Sequence, residues 1–283
     1  MEIKTIAIIG AGQMGNGIAQ VASQVGYLVI MNDIKEEFVN RGWDTISKNL
    51  DRQVKKEKLT VAQKEEIMSR ITPSICIDDA ASADFVIEAA IEKEDLKKEI
   101  FTRLDTICKN DVILATNTSS ISITRVAAVT KRADKVIGMH FMNPVPVMKL
   151  VEIIRGIATS EKTFTITKDL AEKLGKSVAE SKDFPGFIAN RIFAPMINEA
   201  IYALFEGVGT VESIDKVAKL GFNQPMGPFE LADLIGLDVV LAILETLHEG
   251  FGDSKYRLCP LLRQYVAAGY LGRKSGKGFY DYK

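Results

Sequence analysis

The chain holds only two histidines, His140 and His248, so imidazole acid/base chemistry has two candidates. His140 ends the run KVIGMHF and is followed by Met142, Asn143 and Pro144. His248, in ILETLHEGFG near a predicted helix end, reads as structural, because an imidazole there meets the helix C-terminal dipole favourably. Three further segments carry polar side chains out of apolar surroundings. Asn117, Thr118, Ser119 and Ser120 follow the run DVILAT; Glu152 lies inside KLVEIIR; Asn190 lies in GFIANR. Alternation along KLVEIIR sets Glu152 on the face opposite Val151 and Ile153, an odd place for an unpaired carboxylate. A buried acid needs a partner. A histidine is the natural one, because the carboxylate would hold the imidazole in one tautomer and stabilise the imidazolium that forms when it takes a proton. Plainer readings stand beside these: a strand-end histidine with a structural role, Glu152 as an edge residue, Asn190 on a helix surface.

A second constellation lies at the N-terminus. Gly10-Ala11-Gly12-Gln13-Met14-Gly15 has the G-x-G-x-x-G spacing, directly after TIAII and directly before NGIAQVASQVG. Gly10 would turn the chain tightly, Gly12 would let backbone approach a pyrophosphate, and Gly15 would let helix and strand pack closely. The helix N-terminus would offer its free N–H groups and about half a positive charge to the phosphates. Alone the motif is weak, and a glycine-rich turn without ligand shares it. Here the next apolar run, YLVIMN, ends in Asp33, eighteen residues beyond Gly15. A carboxylate there accepts hydrogen bonds from a ribose diol and repels a 2′-phosphate, which favours NAD over NADP. Lys35 nearby softens that preference.

Positioning these groups requires a scaffold. Between residues 3 and 183 the runs TIAIIG, YLVIMND, ADFVIEAA, DVILATNT, KVIGMHF and KLVEIIR alternate with longer amphipathic stretches. This is the rhythm of an α/β fold, a Rossmann-like doubly wound parallel sheet wrapped by helices. Polar residues after its strands would gather at the C-terminal edge, where such sheets bind ligands. After Phe184 the punctuation of Pro185 and Gly186 gives way to helical pattern: PGFIANRIFAPMINEAIYALFEG, then helices near 210–220, 227–248 and 254–268. The predicted division is therefore a nucleotide-binding domain over 1–184 and an all-α domain over 185–283. A helical insert near 36–70 interrupts the first. In it Phe38, Val39, Trp43, Ile46, Leu50 and Val54 keep helical spacing, and Arg52, Lys55 and Lys56 fall on one face. From 48 to 70 there are seven Lys/Arg against four acids. That face reads either as a solvated surface or as a phosphate-binding edge.

With 283 residues, 47% apolar and 26% charged, the composition is that of a globular protein with a sizeable core. Thirty-six Lys/Arg against thirty-seven Asp/Glu leave a charge of −1, which provides no global field for nucleic acid or an anionic membrane. The three cysteines, Cys76, Cys108 and Cys259, have no C-x-x-C spacing, so neither a disulfide framework nor a metal site is expected. No signal-peptide pattern and no apolar run of membrane-spanning length are seen. The expected location is cytoplasmic.

The sequence resembles the L-3-hydroxyacyl-CoA dehydrogenase family, in particular its bacterial short-chain members. The resemblance runs almost end to end, through GAGQMGNGIAQ, NTSS, GMHFMNPVPVMKLVEII, DFPGFIANRI, GFNQPMGPFELADLIGLD and LGRKSGKGFYDY. It implies reversible hydride transfer between NAD(H) and a 3-hydroxyacyl-CoA, with (S)-3-hydroxybutyryl-CoA and acetoacetyl-CoA as the pair and longer acyl chains as the alternative. It further implies that His140 is the base, Glu152 its orienting partner, and Ser119 and Asn190 the residues that hydrogen-bond the substrate oxygens. Asp33, Glu92, Lys97, Asn117 and Asn143 would line the cofactor site beside the glycine loop. Arg52 and Lys56 fall where the family meets the phosphates of coenzyme A, and Asn223 lies in a block matched to the substrate side. A homodimer through the helical domain is implied as well. β-Hydroxyacid dehydrogenases, which use a lysine and have no need of a basic edge, and non-catalytic relatives of the crystallin type are the competing readings.

Overall fold

The apolar runs of the first part become strands: β1 (Thr5–Ile9), β2 (Leu28–Asn32), β3 (Ile71–Ser74), β4 (Phe85–Glu88), β5 (Ile113–Thr116), β6 (Val136–Phe141), β7 (Leu150–Arg155) and β8 (Ser177–Lys182). In the computed structural model, which describes residues 2–282, they form one sheet in the order β3-β2-β1-β4-β5-β6-β7-β8. β4, β5 and β6 are buried at every position, as strands covered on both faces must be. β1 pairs in parallel with β2 on one side and β4 on the other. The sequence order therefore reverses at β1, and the crevice beyond its C-terminal end is where ligands sit in doubly wound sheets.

The sheet is parallel, as expected from the sequence, except at one seam. β6 and β7 run antiparallel. Only residues 142–149 join them, and a parallel crossover takes about a dozen or more, so the chain turns straight back.

Around the sheet lie α1 (Gln13–Gln24), α2 (Glu36–Lys55), α3 (Val61–Ser69), α4 (Glu94–Ile107), α5 (Ile123–Ala127) and α6 (Glu161–Lys173). The insert is two helices. The chain turns at Glu57, whose φ is 56°, and α3 restarts on a capping box in which Thr60 and Gln63 exchange hydrogen bonds. Val39, Ile46 and Leu50 of α2 are fully or almost fully buried with Ile18, Ala22 and Met31. Gly42 allows this packing, because a Cβ there would stand 2.7 Å from the Ala11 carbonyl oxygen. The insert thus leans directly on the glycine loop.

The chain separates into two compact units, the second beginning at Phe184. That unit contains α7 (Ala189–Phe205), α8 (Val211–Gly221), α9 (Pro228–Ile235), α10 (Leu237–Phe251) and α11 (Pro260–Ala267). The single helix predicted near 227–248 is divided by Gly236, at φ 105°, so five α-helices stand where four were expected among the described residues. Ile197, Ile201, Phe229, Val240, Leu244 and Leu262 form their core. The C-terminal segment folds back onto two buried carboxylates. Asp233 accepts from the Phe279 and Tyr280 N–H groups at 3.0 and 2.9 Å, and Asp215 accepts from the Phe229 N–H at 2.9 Å and the Tyr280 hydroxyl at 2.9 Å. Desolvation raises the Asp233 carboxyl above its ordinary range.

Candidate active site

The loop after β1 is shaped by its glycines. Gly10 has φ 109°, and a Cβ on it would strike the Ala89 carbonyl oxygen at 2.6 Å; on Gly15 it would strike the Gly10 carbonyl oxygen at 1.7 Å. Gly12 differs, with no heavy atom within 4 Å of where a Cβ would sit. Its open side lies at the N-terminus of α1, which no side chain caps. A helix N-terminus without a side-chain cap and open space beside Gly12 fit a dinucleotide's pyrophosphate. Asp33, just beyond β2, accepts from the Ala11 N–H at 2.8 Å and the Ile34 N–H at 2.7 Å. This places a carboxylate beside the loop, where a ribose diol can meet it and a 2′-phosphate is disfavoured. Gln13 is exposed and donates to the Asn143 side chain at 3.1 Å, while Met14 is half-buried against the core.

At the antiparallel seam, register pairs His140 of β6 directly with Glu152 of β7. His140 Nδ1 lies 2.8 Å from Glu152 Oε2, with His140 9% and Glu152 1% exposed. A carboxylate at that distance favours the tautomer with the proton on Nδ1. Asn117, after β5, receives the Phe141 N–H on its side-chain oxygen at 2.9 Å. It ties the end of β5 to the residue following His140. The Asn143–Pro144 bond beyond is cis.

A third cluster surrounds Glu92, which precedes α4. Its Oε1 gathers the Thr118 hydroxyl at 2.6 Å, the Ser119 N–H at 2.8 Å, and the Ser120 hydroxyl at 2.9 Å; its Oε2 lies 3.5 Å from Lys97 Nζ. Burial pushes this carboxyl up, but the Lys97 ammonium and the hydrogen bonds from Thr118, Ser119 and Ser120 outweigh it and hold Glu92 below the ordinary value. Lys97 is itself only 1% exposed.

The first unit therefore assembles the glycine loop with Asp33, the His140–Glu152 pair with Asn117 alongside, and Ser119 with Glu92 and Lys97. The other expected residues belong to other elements. Arg52 is exposed in the last turn of α2 and Lys56 just after it. Asn190 is buried in the first turn of α7, and Asn223, exposed with φ 55°, follows α8. Two residues escaped the sequence reading: Glu88, 0% exposed at the end of β4, and Thr116 at the end of β5. The signal for Glu88 was an acid closing an otherwise apolar strand, FVIE.

A glycine loop shaped for a dinucleotide and a buried imidazole–carboxylate pair in one α/β unit fit a class of protein, the dehydrogenases that move a hydride to or from a nicotinamide. Residues 5–184 match the description "3-hydroxyacyl-CoA dehydrogenase, NAD binding domain", and residues 186–282 match "3-hydroxyacyl-CoA dehydrogenase, C-terminal domain". The chain belongs to the 3-hydroxyacyl-CoA dehydrogenase family. It is 57% identical over 281 residues to a 3-hydroxybutyryl-CoA dehydrogenase of Bradyrhizobium diazoefficiens, covering 99% of this chain and 96% of that protein. It is 56% identical over 283 residues to a probable 3-hydroxybutyryl-CoA dehydrogenase of Bacillus subtilis, covering 100% and 99%. The crystal structure of (S)-3-hydroxybutyryl-CoA dehydrogenase from Ralstonia eutropha is similar over 100% of both chains, with a TM-score of 0.97 and 53% identity.

Proposed function

We propose that this protein is an NAD-dependent 3-hydroxybutyryl-CoA dehydrogenase, interconverting (S)-3-hydroxybutyryl-CoA and acetoacetyl-CoA. The observation that carries the reading is the buried His140–Glu152 pair at 2.8 Å, in a unit with a dinucleotide cradle. In oxidation His140 Nε2 takes the proton of the 3-hydroxyl; in reduction the imidazolium returns it to the forming hydroxyl. The bound nicotinamide supplies the hydride acceptor or donor at its C4. Glu152 holds the ring in one tautomer and balances the positive charge that His140 acquires. A base so positioned is worth about 10² to 10⁴ in rate. Ser119 hydrogen-bonds a substrate oxygen, and its loop is held for that task by Glu92. The role of Asn190 rests on its motif, as do those of Arg52, Lys56 and Asn223 toward coenzyme A. The chain's preference for NAD over NADP follows from Asp33.

Assembly belongs to the same reading. The helical unit exposes large apolar side chains, among them Val208 at 76%, Leu220 at 78% and Phe222 at 71%. Side chains of this kind are covered in a homodimer formed through the helical unit.

The experiment is a substrate panel with the purified enzyme, following NADH oxidation. Acetoacetyl-CoA is expected to be reduced with NADH far better than with NADPH, and free acetoacetate to be a poor substrate. Longer 3-ketoacyl-CoAs outcompeting acetoacetyl-CoA in kcat/KM would overturn the short-chain assignment.

A further inference from the structure

Glu88 has no part in the reaction as described, yet it is the most fully enclosed carboxylate near the site. Its Oε1 accepts from Lys97 Nζ at 2.7 Å and from the Ala90 N–H at 2.6 Å; its Oε2 accepts from the Thr116 hydroxyl at 2.7 Å. Both oxygens are thus tied to rigid elements, the start of the loop after β4, the end of β5, and α4. Lys97 reaches the other way as well, to Glu92 at 3.5 Å. Glu92 lies on the exposed loop before α4. What holds its carboxylate is Lys97 on one oxygen and the Thr118–Ser120 turn on the other.

We propose that Glu88 is a positioning residue for the substrate-binding turn: it fixes Lys97, Lys97 fixes one oxygen of Glu92, and Glu92 sets the placement of Ser119. The proposal rests on the assignment of Ser119 to a substrate oxygen. An ammonium buried this deeply stays where its counter-charges put it. With the Glu88 charge removed, Lys97 has Glu92 as its one remaining carboxylate partner among the described residues. It then draws Glu92 toward α4, and the Ser119 N–H and hydroxyl lose their fixed acceptor.

The test is a double-mutant cycle on the full-length enzyme, comparing wild type, Glu88→Gln, Ser119→Ala and the double variant by kcat/KM for acetoacetyl-CoA. Titration calorimetry of acetoacetyl-CoA without cofactor gives an independent readout. Glu88→Gln is expected to lower kcat/KM about tenfold, the scale of one hydrogen bond to a substrate oxygen, and to weaken acetoacetyl-CoA binding. In the Ser119→Ala background the same change is expected to cost less than twofold in both measurements, because residues acting through one group are not additive. A loss of equal size in both backgrounds overturns the proposal, since a purely structural lesion does not depend on the Ser119 hydroxyl. So does wild-type behaviour of Glu88→Gln. If Glu88→Gln does not fold, Thr116→Val removes one donor to Glu88 and enters the same cycle under the same criteria. Wild-type kinetics for Ser119→Ala alone would instead remove the Ser119 assignment on which the proposal stands.

Discussion

The chemistry of this protein reduces to a few side chains whose partners decide what they do. Glu152 is 1% exposed, and a carboxylate there is tolerable because the antiparallel register sets an imidazole opposite it. In Glu152→Gln the amide fits the same space but neither carries the charge nor enforces the tautomer. Its kcat is expected to fall by about 10²-fold or more, with the Kd for NADH, read by fluorescence titration, little changed; unaltered kinetics would remove the orienting role. Glu92 gives a pH signature. Its carboxyl is held below the ordinary value of 4.5, so its ionised contacts stabilise the fold fully above that value, and the contribution is lost as pH falls through the lower, folded-state value. Melting curves between about pH 3 and 6 should show wild type and Glu92→Gln converging in Tm at the acid end. A gap that stays constant with pH would contradict this. Much of the candidate site was visible in the sequence, because the glycine spacing, Asp33, His140 and Glu152 each violate or punctuate an apolar pattern. The Glu88–Lys97 pair was not visible as a pair, since nine positions and a loop separate its members and only the packing of α4 on the sheet closes the distance.

At the level of elements, the strands that announced themselves are the six interior ones. β3 and β8 did not, because they are the sheet's edges: ITPS contains a proline that an edge strand tolerates, and SVAESK is largely polar. The reversal at β7 was implicit in a connection too short for a crossover, and the proposed mechanism depends on it. A parallel β7 would not place Glu152 opposite His140 in this register. In the helical unit, close approach is bought by glycine. A Cβ on Gly278 would stand 2.0 Å from Asp233 Oδ1, whereas on Gly221 it would meet only Val217 at 3.7 Å. Gly278→Ala is therefore expected to lose about 1–3 kcal/mol in urea unfolding through overpacking of the C-terminal segment. Gly221→Ala is expected to stay within about 0.5 kcal/mol of wild type. Equal stability of the two variants would show that Asp233 does not hold the segment in place.

At the scale of the whole molecule the chain is near neutral and divides at Asp183–Phe184 into an α/β unit and a helical unit. The exposed apolar side chains of the helical unit lead to the expectation that light scattering at micromolar concentration gives twice the mass of one chain; a monomer would contradict the proposed dimer. No helix among the described residues is long and apolar enough to cross a membrane. The account as a whole stands on His140 as the group that takes and returns the proton. The direct measurement is kcat for NADH-dependent reduction of acetoacetyl-CoA by His140→Gln, alongside the Kd values for NADH and acetoacetyl-CoA. The account predicts a fall of about 10² to 10⁴ in kcat with both ligands still bound within a few-fold of wild type. A variant that binds both ligands and turns over at the wild-type rate would contradict it.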